Sequence, residues 1–480
     1  MSLSNKAYKG ALWSIFQFTG AQFSSTLVLL ILASVLGAEA FGLVALAGVY
    51  IDFVQILIEQ GFAEAIVQRQ EIEAEHLNTA FWFGLGTSVL IVSITIIFAG
   101  YVAILFQEPQ LKNVIQWLSL SFIFRSLNSV QEALLKRDLN FKSLSVRTLG
   151  ANIAAGITGV TMAYAGFGVW SLVARQLVEV AVGTVLLWTV VRWRPGFKVS
   201  SQHFRDLFSY GVNILGNRVA FFFSKRADDF LIGYFLGPVY LGYYTIAYKF
   251  IQTANRTISA SIGRVVVPAF SRVQDDLVKV RRGFYKVTEL MSYATIPFFT
   301  VVMLLSSEII LEFLGDEWSN SVPILKILSF YGMLQVILRF NESMMNAMGK
   351  PDWSFKINTV FSIFSVTTFM LVVSQGINAV AAVYVVRACL LFPVSALAIK
   401  KLIDIDIRRY TIIFVKPICL SLLVGIAVFG LKIMFSDFMN NSLVILGSII
   451  VYMTLSVMFF IRFSPTTFAE LRKVLVKRKK

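Results

Sequence analysis

Apolar stretches, each about as long as a bilayer crossing and separated by short polar punctuation, repeat along nearly the whole chain. A helix needs roughly 20 mostly apolar residues to cross the hydrocarbon core. The pattern predicts fourteen spans, the first seven near residues 10–36, 41–67, 79–106, 113–135, 145–165, 167–191 and 208–236. The rest fall near 240–268, 287–314, 322–348, 354–375, 378–400, 411–434 and 441–463. The fourth is amphipathic, because Arg125, Asn128, Gln131 and Glu132 interrupt it. Unbroken apolar runs exclude barrel strands, which alternate apolar and polar positions. The run Ala11–Leu36 is too long for a cleavable signal and more spans follow at once, so it reads as a retained first span. The predicted fold class is an all-α polytopic membrane protein.

Composition agrees. Of 480 residues, 57% are hydrophobic and 15% charged, with a mean hydropathy of +0.74. Soluble globular and disordered chains carry more charge. The net charge of +16 would suggest a nucleic-acid partner in a soluble protein. Sorting the 43 Lys and Arg by segment removes that reading: 28 lie in the termini and alternate loops. Examples are Arg69, Lys136, Arg192, Arg205, Arg281, Lys350, Lys400 and the closing run Arg472–Lys480, whereas Lys112 stands alone in the opposite loops. By the positive-inside rule both termini are cytoplasmic, and the basic tail at 464–480 serves mainly to fix topology. Cys389 and Cys419 sit in apolar runs and imply no disulfide framework. His76 and His203 lie in separate polar stretches without a nearby Cys, so no metal site of the usual kind is expected.

The segment Leu36-Gly37-Ala38-Glu39-Ala40-Phe41-Gly42 has a partner in Leu236-Gly237-Pro238-Val239-Tyr240-Leu241-Gly242. A weaker echo links Asn128…Phe141-Lys142 with Asn341…Phe355-Lys356. The chain therefore reads as an N-terminal six-helix half (1–200) and a C-terminal six-helix half (201–405), followed by two additional helices (406–463). An even helix number gives both halves the same orientation. That predicts parallel repeats about an axis along the membrane normal, with a central cavity between them.

Charged side chains inside the bilayer cost about 2.5–3.5 kcal/mol on insertion scales, so they face cavities or pair with one another. The seventh span carries Arg218, Lys225, Arg226, Asp228 and Asp229; the eighth carries Lys249, Arg256 and Arg264 on one face. Asp52, Gln55 and Glu59 share a face of the second span, while Arg125 and Arg339 stand elsewhere. One reading is a cationic cavity for an anionic head group, lined by Arg218, Arg226, Arg256, Lys249, Arg125 and Arg339. The other is mutual neutralisation: Lys225 with Asp229 at i,i+4, and the acidic face of the second span against the basic face of the eighth. Asp52, Glu59, Asp228 and Asp229 are candidates for ion coupling or gating, Asp228 also as a proton site. There is no G-x-x-x-x-G-K-[ST] loop and no catalytic His/Cys/Asp constellation, so neither an enzyme nor a cofactor is expected.

Several runs resemble the polysaccharide-transporter (Wzx-type flippase) family of the multidrug/oligosaccharidyl-lipid/polysaccharide exporter superfamily, in its colanic-acid and teichuronic-acid branch. They are Leu36–Gly42 with Tyr50-Ile51-Asp52, Lys136–Phe141, Gly166–Val173 and Arg226–Gly237. The resemblance implies movement of an undecaprenyl-diphosphate-linked oligosaccharide across the bacterial plasma membrane by alternating access. It further implies H+ or Na+ as coupling ion, and a polysaccharide polymerase and glycosyltransferases as partners. Arg218, Arg226 and Arg256 are the positions at which it places diphosphate binding. The alternatives are a cation-coupled multidrug antiporter of the same superfamily and a non-coupled lipid scramblase or scaffold.

Overall fold

The computed structural model describes residues 20–463 except 23, 60, 70 and 436–440. Side chains at 59, 206–221, 223, 224, 260–269 and scattered positions after 430 also lie outside the described set. The basic tail at 464–480 lies outside the described residues altogether. Among the described residues the chain is helical and has no strand.

The helices are α1 (Gly20–Val35), α2 (Ala38–Glu59), α3 (Phe62–Gln68), α4 (Ala74–Leu105), α5 (Pro109–Ser119) and α6 (Ser121–Arg137). Then come α7 (Phe141–Tyr164), α8 (Val169–Val190), α9 (Ser201–Leu236), α10 (Pro238–Ser271), α11 (Leu277–Leu304) and α12 (Ser306–Leu314). The last six are α13 (Ser321–Ala347), α14 (Pro351–Val372), α15 (Ile377–Ile403), α16 (Ile407–Ile412), α17 (Val415–Phe435) and α18 (Asn441–Phe463). Eight of the described helices are long and apolar enough to cross a membrane.

Four expected spans are broken, the thirteenth at Ile413 and Phe414 between α16 and α17. The second divides at Gly61, whose φ of 73° suits the left-handed region that glycine tolerates. The fourth divides at Leu120 into α5 and α6, which bury Ser119, Ser121, Ser126, Asn128 and Gln131. The ninth divides at Leu305 into α11 and α12. By contrast α11 and α15 run uninterrupted through Pro297 and Pro393.

The chain forms two compact units, residues 1–245 and 246–480. In the first, α7 packs along α8, α4 lies against α5 and α6, and α9 packs on α2, α3 and α4. Lipid tails supply no hydrophobic drive between helices, so close approach of small residues matters. Gly156 of α7 meets Val28 of α1, and Gly159 meets the stem of Arg175 on α8. The repeated motifs meet reciprocally: a Cβ on Gly42 would overlap the Pro238 carbonyl, and one on Gly242 would overlap the Ala38 carbonyl. Equivalent positions therefore exchange equivalent contacts, as around a local two-fold axis. In the second unit, α13 packs between α11 and α15, and α17 and α18 lie on α11 through Tyr293, Val301, Leu420 and Val424.

Candidate functional site

Within the first unit, α9 lies close along α2 because Gly233 offers no side chain opposite Leu46. The Phe53 and Phe222 rings pack at 5.3 Å nearby. On this seam Arg226 donates from Nη1 to Asp229 Oδ2 at 2.6 Å and from Nη2 to Asp52 Oδ2. A planar guanidinium suits this arrangement, since its fixed fork serves two carboxylates at once. Asp229 is 11% exposed, against 37% for Arg226 and 42% for Asp52. Successive helical residues point about 100° apart, so Asp228 faces another neighbour. It is buried and accepts the Tyr244 hydroxyl at 2.5 Å. On this seam one guanidinium is shared by two carboxylates.

The fold thus brings together four of the singled-out residues: Asp52, Arg226, Asp228 and Asp229. Asp229 pairs with Arg226 at i,i+3. The acidic face of the second span reaches the seventh span through Asp52 and Arg226. The physical reason is reach: the close α2–α9 seam puts Asp52 within hydrogen-bond distance of the Arg226 fork. Both terminal nitrogens of the Arg226 fork are engaged.

The remaining candidates are dispersed. Arg125 is exposed on α6 and makes no ion pair among the described residues. Lys249 and Arg256 are exposed on α10, and Arg339 is half-buried on α13. The side chains of Arg218 and Glu59 lie outside the described residues. The second unit holds a neutral network instead: Asn255 Nδ2 donates to Gln335 Oε1, and Gln335 Nε2 to the Tyr331 hydroxyl at 2.7 Å.

One association went unread in the sequence. His76 and His203, separated along the chain, have ring centroids 4.1 Å apart. The extended segment before α9 is stitched to the start of α4. Gly196 N donates to Asn78 Oδ1 at 2.9 Å, Ser200 N to Thr79 Oγ1 at 3.2 Å, and Trp82 Nε1 to the Gly196 carbonyl at 2.8 Å. Polar residues at the mouth of α4 and the two tryptophans Trp82 and Trp193 were the available signals.

The architecture is that of a polytopic transporter fold. It superimposes on the structure titled "Lipid II flippase MurJ, inward closed conformation" with a TM-score of 0.76 at 14% identity, covering 96% of this chain and all of that one. It also matches an inward-facing MATE family multidrug resistance transporter of the MOP superfamily, with a TM-score of 0.61 at 16% identity over 80% of this chain and 96% of that chain. Residues 31–323 match the polysaccharide biosynthesis protein family, and the chain belongs to that family. Among its relatives is teichuronic acid biosynthesis protein TuaB of Bacillus subtilis (strain 168), 25% identical over 79% of this chain and 80% of the relative. Another is lipopolysaccharide biosynthesis protein WzxC of Escherichia coli (strain K12), 25% identical over 88% of this chain and 87% of the relative. The succinoglycan biosynthesis transport protein ExoT of Rhizobium meliloti (strain 1021) is 26% identical over 66% of this chain and 64% of its own length.

Proposed function

We propose that the protein is a flippase that moves a lipid-diphosphate-linked oligosaccharide from the inner to the outer leaflet of a bacterial plasma membrane, for surface polysaccharide assembly. The observation that carries this reading is a charged cluster inside a transporter fold, in a chain whose relatives are surface-polysaccharide biosynthesis proteins over most of their length. A polyprenyl carrier stays in lipid while its diphosphate and sugars must cross, so the path needs polar groups that exchange partners rather than a fixed pore. Exposed Arg125, Lys249 and Arg256 supply phosphate-matching charge, and the Asp52–Arg226–Asp229 cluster with Asp228 supplies the exchangeable element. The two halves rock against each other, both termini are cytoplasmic, and H+ or Na+ exchange provides the drive.

The test is reconstitution into proteoliposomes with an undecaprenyl-diphosphate oligosaccharide, scored by its accessibility in the outer leaflet. Transport of this lipid, with loss in an Arg218→Ala/Arg256→Ala double variant that still folds, is the expected result. Normal transport in the double variant would sink the cationic path. Drug-dependent proton flux without any lipid requirement would favour an antiporter, and gradient-independent equilibration in both directions a scramblase.

A further inference from the structure

The only two histidines in the sequence, at positions 76 and 203, are brought into ring contact in the first unit, well apart in sequence from the transport cluster. His203 Nε2 lies 3.1 Å from Glu73 Oε2. The Glu73 amide donates to His76 Nδ1 at 3.3 Å as one half of a capping box at the start of α4. One ligand atom from each of Glu73, His76 and His203 lies within 4.8 Å of the other two. We propose that these three residues form a binding site for a divalent transition-metal ion of the Zn2+ type.

The donor set fits that class. Two imidazoles and one carboxylate are borderline ligands suited to zinc, whereas magnesium and calcium take oxygen ligands. Zinc bonds of 2.0–2.2 Å in tetrahedral geometry space their ligand atoms about 3.3 Å apart. The Glu73–His203 pair already has that spacing, and the third ligand needs to close in by a side-chain adjustment. Protons compete with the metal for the same nitrogen lone pairs. The Nδ1 cap on His76 is a long hydrogen bond, so little is lost when it is exchanged for a coordinate bond. If the metal takes Nδ1 it displaces the cap donor; if it takes Nε2 the ring proton moves to Nδ1. His203 Nδ1 is buried with no hydrogen-bond partner, so the ring can turn either nitrogen to the ion without giving up a second contact.

The three ligands are also held in place before any ion arrives. Glu73 and His76 are fixed by the helix start of α4, and His203, in the first turn of α9, by the stitched segment 196–200 that precedes that helix. The Phe62, Phe81, Val130 and Ala133 cluster packs beneath, with Phe204 against it. Three protein ligands leave a fourth position open for water. A bound ion therefore ties the start of α4 to the start of α9, the first helix of the second sequence repeat.

The experiment uses the full-length protein in detergent, stripped with a chelator and titrated with ZnCl2 in a calorimeter. One equivalent of Zn2+ binding at micromolar or lower concentration is expected. His203→Ala and Glu73→Gln should each weaken it by roughly 10-fold or more. Both sites are more accessible than buried His76, whose replacement risks the fold, so retention of the melting temperature in these two variants confirms that only the ligand was lost. No saturable binding in the wild type would overturn the proposal. Equal binding by His203→Ala and the wild type would overturn it as well, because the ion would then sit elsewhere.

Discussion

Counted from the repeated glycine motif, Asp52 of α2 and Gln252 of α10 occupy the same position, ten residues after Gly42 and Gly242. Gln55 and Asn255 follow at the next matching step. The backbones around the motif are alike enough that Gly42 and Gly242 make reciprocal contacts, yet the chemistry built on them has diverged. The first copy holds ions: Asp52 grips Arg226, which also grips Asp229. The second holds neutral amides and phenols: Gln252 donates to Tyr248 at 2.7 Å, and Asn255 joins Gln335 and Tyr331. Hydrogen bonds between neutral side chains in a buried setting hold their elements together without any charge to exchange. A guanidinium shared by two carboxylates can trade one for a proton, a cation or a phosphate. If the proposed flippase function holds, the exchangeable contacts belong to the first copy and the neutral ones to the second.

The sharpest way to break this comparison is Arg226→Ala. It strands Asp52 and Asp229 side by side without their cation. Removing one partner of a buried pair costs about 3–5 kcal/mol, and the partial exposure of Arg226 and Asp52 brings the expectation down to about 2 kcal/mol. Transport should fall to background. Adding Asp229→Ala to Arg226→Ala should recover much of the stability but none of the transport, because the like-charge repulsion goes while the exchangeable pair stays lost. Thermal unfolding and the leaflet assay on the same preparations separate the two effects. Recovery of transport in the double variant would show the cluster to be a structural brace, no different in kind from the amides of α10.

A smaller effect is expected in the second copy. Asn255→Ala leaves Gln335 short of a partner in a buried setting and should cost about 1–3 kcal/mol of stability. Replacing Asn255 and Gln335 together by Leu should cost less than the single change, since neither amide is left facing a missing partner and only the Gln335 donor to the Tyr331 hydroxyl is lost. Transport per folded molecule should hold in both. A transport defect larger than the loss of folded protein would mean that the neutral network also moves, and the contrast between the copies would fail.

How much of this was legible beforehand follows the same division. Apolar length alone located the spans, because each helix must satisfy its backbone internally in lipid. The breaks at Gly61 and Leu120 were hidden, since a hydropathy run does not register a single left-handed residue or a bent amphipathic segment. The glycine repeat was visible as spelling, but its reciprocal contact needed three dimensions. Asp52, Arg226, Asp228 and Asp229 stood out because charge in an apolar run is conspicuous. Their partners did not, because the register between α2 and α9 is set by Gly233 against Leu46, more than 180 residues apart in sequence. The histidine pair escaped for the same reason: each ring sits in an ordinary polar stretch, and only the packing of α9 on α4 joins them.

The smallest expected effect extends the same asymmetry to the far end of α2. Glu39 of the first motif corresponds to Val239 of the second, so here too the first copy is acidic where the second is apolar. Glu39 lies near Glu108, in the turn between α4 and α5, and burial followed by the Glu39 charge raises the Glu108 carboxyl above its ordinary range. A carboxyl raised in the folded state holds its proton more tightly there than in the unfolded chain. Its contribution to stability is therefore fully present below the ordinary carboxylate pKa and is lost as pH rises through the folded value. Glu108→Gln removes that dependence. The variant should match the wild type at low pH and melt slightly higher near neutrality, where the wild type carries two facing carboxylates. Melting curves between pH 4 and pH 7.5 measure the difference. If the wild-type curve is already as flat as that of Glu108→Gln, the acidic bias of the first copy is confined to the Arg226 cluster and does not run the length of α2.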